Sequence, residues 1–294
     1  MSTFDRRELL KWCSIPVDEL AKHGPRVPFE IVETREELGE KMASELVETV
    51  RANNAEGRTT RAIVPCGPMC WYEPFTRMVN RERVSLRNLM VFHMDECLDW
   101  QGRLLPAGHP YNFRVTMEQV FYGPVTAGLA VPQENRFWLT PQTMERVREE
   151  IWKEPVDITL GGWGQDGHIA YNQARREPFS LLTIDDVRES TIRIQYNNWD
   201  TVIALAQRSL GTAWQFIPPM SVTLGVKECL SARKVRVYSD TGAWKQTAFR
   251  VALFSQPTPE YPLTLLQTHP DARVTLTRET AEHPISRHPE WELL

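Results

Sequence analysis

The residues able to do chemistry in this chain fall into a few short segments. The densest is Gly161-Gly162-Trp163-Gly164-Gln165-Asp166-Gly167-His168-Ile169-Ala170-Tyr171-Asn172-Gln173. Asp166 and His168 stand two residues apart in a glycine-rich stretch, where backbone can approach a ligand closely. A carboxylate beside an imidazole orients the ring and favours its charged form, which suits acid–base work. A second segment, His93-Met94-Asp95-Glu96-Cys97, offers Asp95 as a base. A base together with an acid/base histidine suits removal of a proton next to a carbonyl. The competing reading is structural: Asp166 caps a turn, His168 is a satisfied and partly buried histidine, and Asp95 caps a helix.

Gly162, Gly164 and Gly167 also spell G-x-G-x-x-G, a weak dinucleotide signal unless it opens a helix. Pro178 follows within a few turns and no apolar stripe lies between, so no dinucleotide cofactor is expected. Cys66-x-x-x-Cys70 is half of a metal-site spacing with no second pair, so no metal is expected. The five cysteines are scattered and odd in number, which argues against a disulfide framework and for a cytoplasmic chain. A net charge of -4 gives no electrostatic footprint for nucleic acid. No apolar run reaches the length of a membrane span, and the first residues lack a signal-peptide core.

These residues need elements to hold them. Thr34 and Glu37 have capping-box spacing, and Leu38, Met42, Leu46 and Val50 then mark one helix face. Helical patterns also cover 69–79, 113–121, 201–210 and 243–253, and Thr140-Pro141 has the chemistry of a helix start. Short apolar strands are expected at 61–64, 89–92, 137–139, 156–160 and 235–238. The alternation predicts an α/β fold, a mostly parallel sheet with helices on both faces. Ligands of such sheets sit beyond the carboxyl ends of the strands. Pro65-Cys66-Gly67-Pro68-Met69, the Asp95 segment and the Asp166 segment each follow a strand. Residues 1–28 read as an N-terminal extension and 29–294 as one catalytic domain.

Met94-Asp95-Glu96, Gly161 to Asn172, Val222-Thr223-Leu224-Gly225-Val226, Pro218, Leu266-Gln267 and His269-Pro270 resemble the glucosamine-6-phosphate deaminase (isomerase) family, in order and at near-family spacing. The likeness covers roughly residues 29–280. Asp-Gly-His is shared with the related 6-phosphogluconolactonases, whereas Ile169-Ala170-Tyr171-Asn172 looks like the deaminase branch. The resemblance implies a Rossmann-like three-layer sandwich and no cofactor. It implies Asp95 as the base that moves a proton between C1 and C2, and His168 with Asp166 as the ring-opening group. Gln173 stands where the family has a supporting glutamate. Cys66, Gly67, Gly162, Trp163 and Gly164 fall at substrate-binding positions, and Arg208 matches a phosphate arginine if one residue is inserted before it.

The departures set the functional expectation. Glutamine cannot supply charge to an imidazolium. The loop Pro65-Cys66-Gly67-Pro68 lacks the hydroxyls of the family's phosphate loop, and the phosphate lysine aligns with Pro219. In the region of the family's effector site Arg193 matches and a lysine becomes Gln195. The expected reaction is therefore an amino-sugar deaminase/isomerase reaction on an altered or unphosphorylated sugar, with Trp71, Tyr72 and Trp163 as stacking surfaces. A sugar lactonase and a non-catalytic sugar sensor are the alternatives. The expected partner is a small sugar or sugar phosphate, not nucleic acid or membrane, with homo-oligomerisation left open.

Overall fold

The computed structural model describes residues 5–175 and 181–294. Ten strands are present: β1 (Phe29–Val32), β2 (Thr60–Val64), β3 (Leu89–His93), β4 (Asp95–Leu98), β5 (Arg136–Phe137), β6 (Ile158–Gly161), β7 (Arg193–Tyr196), β8 (Met220–Thr223), β9 (Lys234–Ser239) and β10 (Ala272–Thr277). Seven form one sheet in the order β1-β10-β9-β6-β2-β3-β5, and all its pairings are parallel. β4, β8 and β7 form a separate antiparallel sheet.

Alternation along the strands makes the three layers. Ala62 and Val64 face one cluster with Leu38, Met42, Leu46 and Phe75, while Ile63 faces the other with Phe92, Phe249 and Leu276. The main helices are α1 (Arg6–Ser14), α2 (Arg35–Ala55), α3 (Tyr72–Glu82), α4 (Phe113–Met117), α5 (Met144–Ile151), α6 (Ile184–Arg188), α7 (Trp199–Ser209), α8 (Val226–Cys229) and α9 (Gln246–Phe254). In α2 the expected stripe Leu38, Met42, Leu46 and Val50 is fully buried, worth about 1.5–3 kcal/mol per side chain. Thr34 accepts from the Glu37 N–H at 3.1 Å, but the Glu37 carboxylate reaches the Glu33 N–H, one residue before the cap.

Several elements differ from the sequence expectation. α3 starts three residues later than the pattern suggested. Thr140 and Thr143 close a turn on each other, so α5 starts at Met144 rather than at Thr140-Pro141. β1, β10 and the whole antiparallel sheet carry charged or hydroxyl residues that blurred their apolar pattern. Ahead of β1, Leu20 and Val27 are buried in the main core, and Arg250 donates to the Ile15 and Ala281 carbonyls at 2.8 Å each. Among the described residues no helix is long and apolar enough to cross a membrane.

From β2 the chain runs outward through β3 and β5, then returns to the other side of β2 as β6. The loops after β2 and β6 therefore diverge, and a crevice opens at this switch point.

Candidate active site

A cleft of about 610 Å³ occupies the crevice. The loop after β2 lines it with Cys66 and Gly67, the loop after β6 with Gly162, Trp163 and His168, β4 with Asp95, and α7 with Arg208. Sequence-expected residues from four segments thus converge. Asp166, Gly164 and Gln173 lie behind the walls.

Asp166 backs His168. Its Oδ1 lies 2.6 Å from Nδ1 of the imidazole and also accepts the His168 N–H at 3.3 Å. The carboxylate side chain is 1% exposed and the imidazole 13%. With Nδ1–H donated to Asp166, Nε2 is the ring atom left to act on a ligand. Glycine is required beside it: a Cβ on Gly164 would lie 2.0 Å from His168 Cε1. Gly167 adopts φ +73°, a conformation that favours glycine, and packs on Tyr261. His168 and Tyr261 thus account for the glycines at 164 and 167.

Asp95 opens β4, in register with Thr223 of β8. Burial first, and the Glu96 charge second, push its carboxyl up to about 7, with His168 opposing. Such a group can take or give a proton near neutral pH. Glu96 points elsewhere: it accepts the Cys97, Phe113 and Arg114 N–H groups at 2.8–2.9 Å, anchoring the start of α4.

Gln173 does not bond His168. It donates to the Thr201 hydroxyl at 2.5 Å and accepts the Asn198 N–H at 2.9 Å. Gln165 donates to the same hydroxyl at 2.9 Å. The two glutamines tie down the start of α7, and Tyr111 on Ser209 at 2.6 Å ties its end, which brings Arg208 to the cleft. Trp71 and Tyr72 are not stacking surfaces. Trp71 is buried among Tyr72, Phe75 and Phe121, and the Tyr72 hydroxyl donates to the Cys66 carbonyl at 2.6 Å. Trp163 does line the cleft.

The far end of the cleft holds residues that the sequence reading missed: Arg35, Asp240, Thr241 and Lys245. The Trp163 indole N–H donates to the Lys245 carbonyl at 3.4 Å, and the ammonium lies 5.6 Å from the ring centroid. Burial, and then Arg208, pull Lys245 down to about 8, with Asp240 opposing. Glu96 and His168 act on the Asp95 carboxyl, and Arg208 and Asp240 act on Lys245, with Asp240 also paired to Arg35. His168 lines a smaller pocket together with Arg208 and Lys245, so the acid–base and cationic groups adjoin at the imidazole. Pro219 lines a different cavity, with Trp100, Trp199 and Phe216. The lysine that does line the cleft is Lys245. Lys245 follows β9 as the third residue after the Gly242 bend, and only its place beyond a strand end marks it in the sequence. Among the described residues, no three His, Cys, Asp or Glu side chains converge as metal ligands do.

Fold and cleft together define an α/β protein with paired acid–base groups at the carboxyl ends of parallel strands. No family model matches the chain. It is 27% identical over 245 residues to a glucosamine-6-phosphate deaminase of Aliivibrio fischeri (strain MJ11), covering 80% of this chain and 84% of that one. The glucosamine-6-phosphate deaminase of Pectobacterium carotovorum subsp. carotovorum (strain PC1) is 28% identical over 249 residues, covering 81% and 86%. Among solved structures, a monomeric glucosamine-6-phosphate deaminase superposes with TM-score 0.73 at 20% identity, covering 86% of this chain and 98% of that one. The 6-phosphogluconolactonase from Trypanosoma cruzi gives 0.59 at 16%, covering 88% and 97%. The chain thus resembles glucosamine-6-phosphate deaminases in sequence, and shares its fold with a glucosamine-6-phosphate deaminase and with 6-phosphogluconolactonases.

Proposed function

We propose that the protein is an amino-sugar-phosphate deaminase/isomerase. The observation that carries this reading is one cleft that brings Asp95 and the His168–Asp166 pair together with Lys245 and Arg208. The cations bind the phosphate, and the sugar chain extends toward the acid–base end. His168, oriented by Asp166, moves the anomeric hydroxyl proton to the ring oxygen and opens the pyranose. Asp95 removes the C2 proton while the substrate ammonium gives a proton to O1, forming an enolamine, and Asp95 then returns its proton to C1. The resulting C2 iminium takes up water and expels ammonia, leaving a ketose phosphate. Asp95 held near 7 can be base and then acid within one turnover. The cations at Lys245 and Arg208 favour a phosphorylated sugar over the unphosphorylated one expected from sequence.

The test is incubation of glucosamine 6-phosphate and glucosamine in deuterium oxide, followed by NMR, with ammonia assayed in the same tubes. Deuterium at C1 with ammonia release, strong for the phosphorylated sugar, weak for the unphosphorylated one and lost in Asp95→Asn, is the expected result. Hydrolysis of a sugar lactone with neither exchange nor ammonia would replace this reading by lactonase chemistry. Sugar binding without any turnover would replace it by a sensor.

A further inference from the structure

Arg35 and Asp240 have no role in the reaction as described, yet both line the cleft and pair at 2.7 Å. The Asp240 side chain is 5% exposed and that of Arg35 59%. We propose, on the basis of the sugar-phosphate reading above, that Arg35 is a third ligand for the substrate phosphate and that Asp240 is the positioning residue that holds it at the rim.

Five observations converge on this assignment. The bond to Asp240 engages Arg35 Nε, and a guanidinium carries four further N–H donors on its terminal nitrogens. Arg35 is the first residue of α2, where the helix dipole disfavours a cation. Helix stability therefore gives no reason for arginine there, whereas the cleft does. The start of α2 is pressed on the cleft wall: a Cβ on Gly39 would lie 2.3 Å from the Cys70 carbonyl oxygen. The same loop brings Pro65 and Pro68, which have no N–H, and no hydroxyl between Pro65 and Cys70. Donors for an anion must come from other segments. Finally, Arg35, Arg208 and Lys245 against Asp240 leave a surplus of two positive charges at this end, matching a phosphate monoester, which carries about -1.5 to -2 at pH 7.

Titration calorimetry with inorganic phosphate, paired with steady-state kinetics on glucosamine 6-phosphate, tests the assignment in Arg35→Ala and Arg35→Lys. For Arg35→Ala, affinity for inorganic phosphate falls and KM rises by about tenfold, the low end for a charge-assisted hydrogen bond at an exposed site. The kcat stays within about twofold because no reacting atom is touched. Arg35→Lys restores part of the loss, keeping charge without the fork. Unchanged phosphate affinity and KM with a lowered Tm would overturn the proposal and leave Arg35 as a structural partner of Asp240. Calorimetry separates the two readings. Weakened phosphate binding in a protein that turns over no sugar phosphate keeps Arg35 and removes the reaction. Normal turnover in Arg35→Ala does the reverse.

Discussion

At the acid–base end of the cleft, Gly164, Asp166 and His168 come from five consecutive residues, with Asp95 from one strand end beside them. At the cationic end, Arg35, Arg208, Asp240 and Lys245 come from the start of α2, the end of α7 and the loop after β9. The first end is held by local geometry: a carboxylate two residues from its imidazole, on glycines that leave room for it. The second is held by topology, and exists only when three distant elements close on the same crevice. A defect in the first should appear as lost chemistry, and a defect in the second as lost affinity for the phosphorylated substrate.

The largest expected effect is at Asp95. Asp95→Asn should lower kcat by about 10³-fold, within the range for a lost general base, with KM little changed. The same variant should be more stable than the parent at pH 8. The folded pKa of Asp95 is raised from 3.8 to about 7, so the parent loses stability as pH rises across that interval, and asparagine does not. Thermal melts at pH 4 and pH 8 check the sign: the gain should be present at pH 8 and absent at pH 4.

Next is Gly164→Ala. The new methyl would occupy the place of the His168 ring, and a misplacement of about 1 Å can cost about 10²-fold in rate. The loss should fall on kcat for every substrate alike, measured by ammonia release. Lys245→Met should do the opposite. It should raise KM for the phosphorylated sugar by about 10- to 100-fold, the worth of a charged hydrogen bond, and leave weak turnover of the unphosphorylated sugar unchanged. Equal losses on both sugars would erase the distinction between the ends.

The pH dependence of kcat/KM joins the two. On the proposed reaction Asp95 works ionised, so activity should rise through about 7, and Lys245 holds phosphate when protonated, so activity should fall above about 8. Lys245→Arg should move only the alkaline limb, upward. The smallest effect is expected for Gln173→Glu. Because Gln173 bonds Thr201 and Asn198, a carboxylate there should change kcat by less than about threefold, the low end for one hydrogen bond. A tenfold gain would mean that residue 173 reaches His168 during turnover.

The same contrast explains what could be read in the sequence. Strands β2, β3, β6 and β9 are apolar runs and were visible, as was α2 with its stripe. The Asp166–His168 pair was visible because its partners are neighbours in sequence. Lys245 and Arg35 look like ordinary surface cations until the sheet order brings the β9 loop and the start of α2 to one crevice. Gln173 was given a catalytic place by its position after Asn172. The chain turns it instead toward α7, where amide donors and acceptors fit a hydroxyl and a backbone N–H. Trp71 and Tyr72 carried no sequence mark separating platform from core; burial decided it.

The contact between Gly164 and the His168 ring also bears on descent. A side chain can enter position 164 only after the imidazole has gone, because the two claim the same space. Once it has entered, histidine cannot return at 168 until glycine is restored first. A lineage that lost the histidine and then filled position 164 would have passed through a ratchet, in which the histidine can return only after the glycine has.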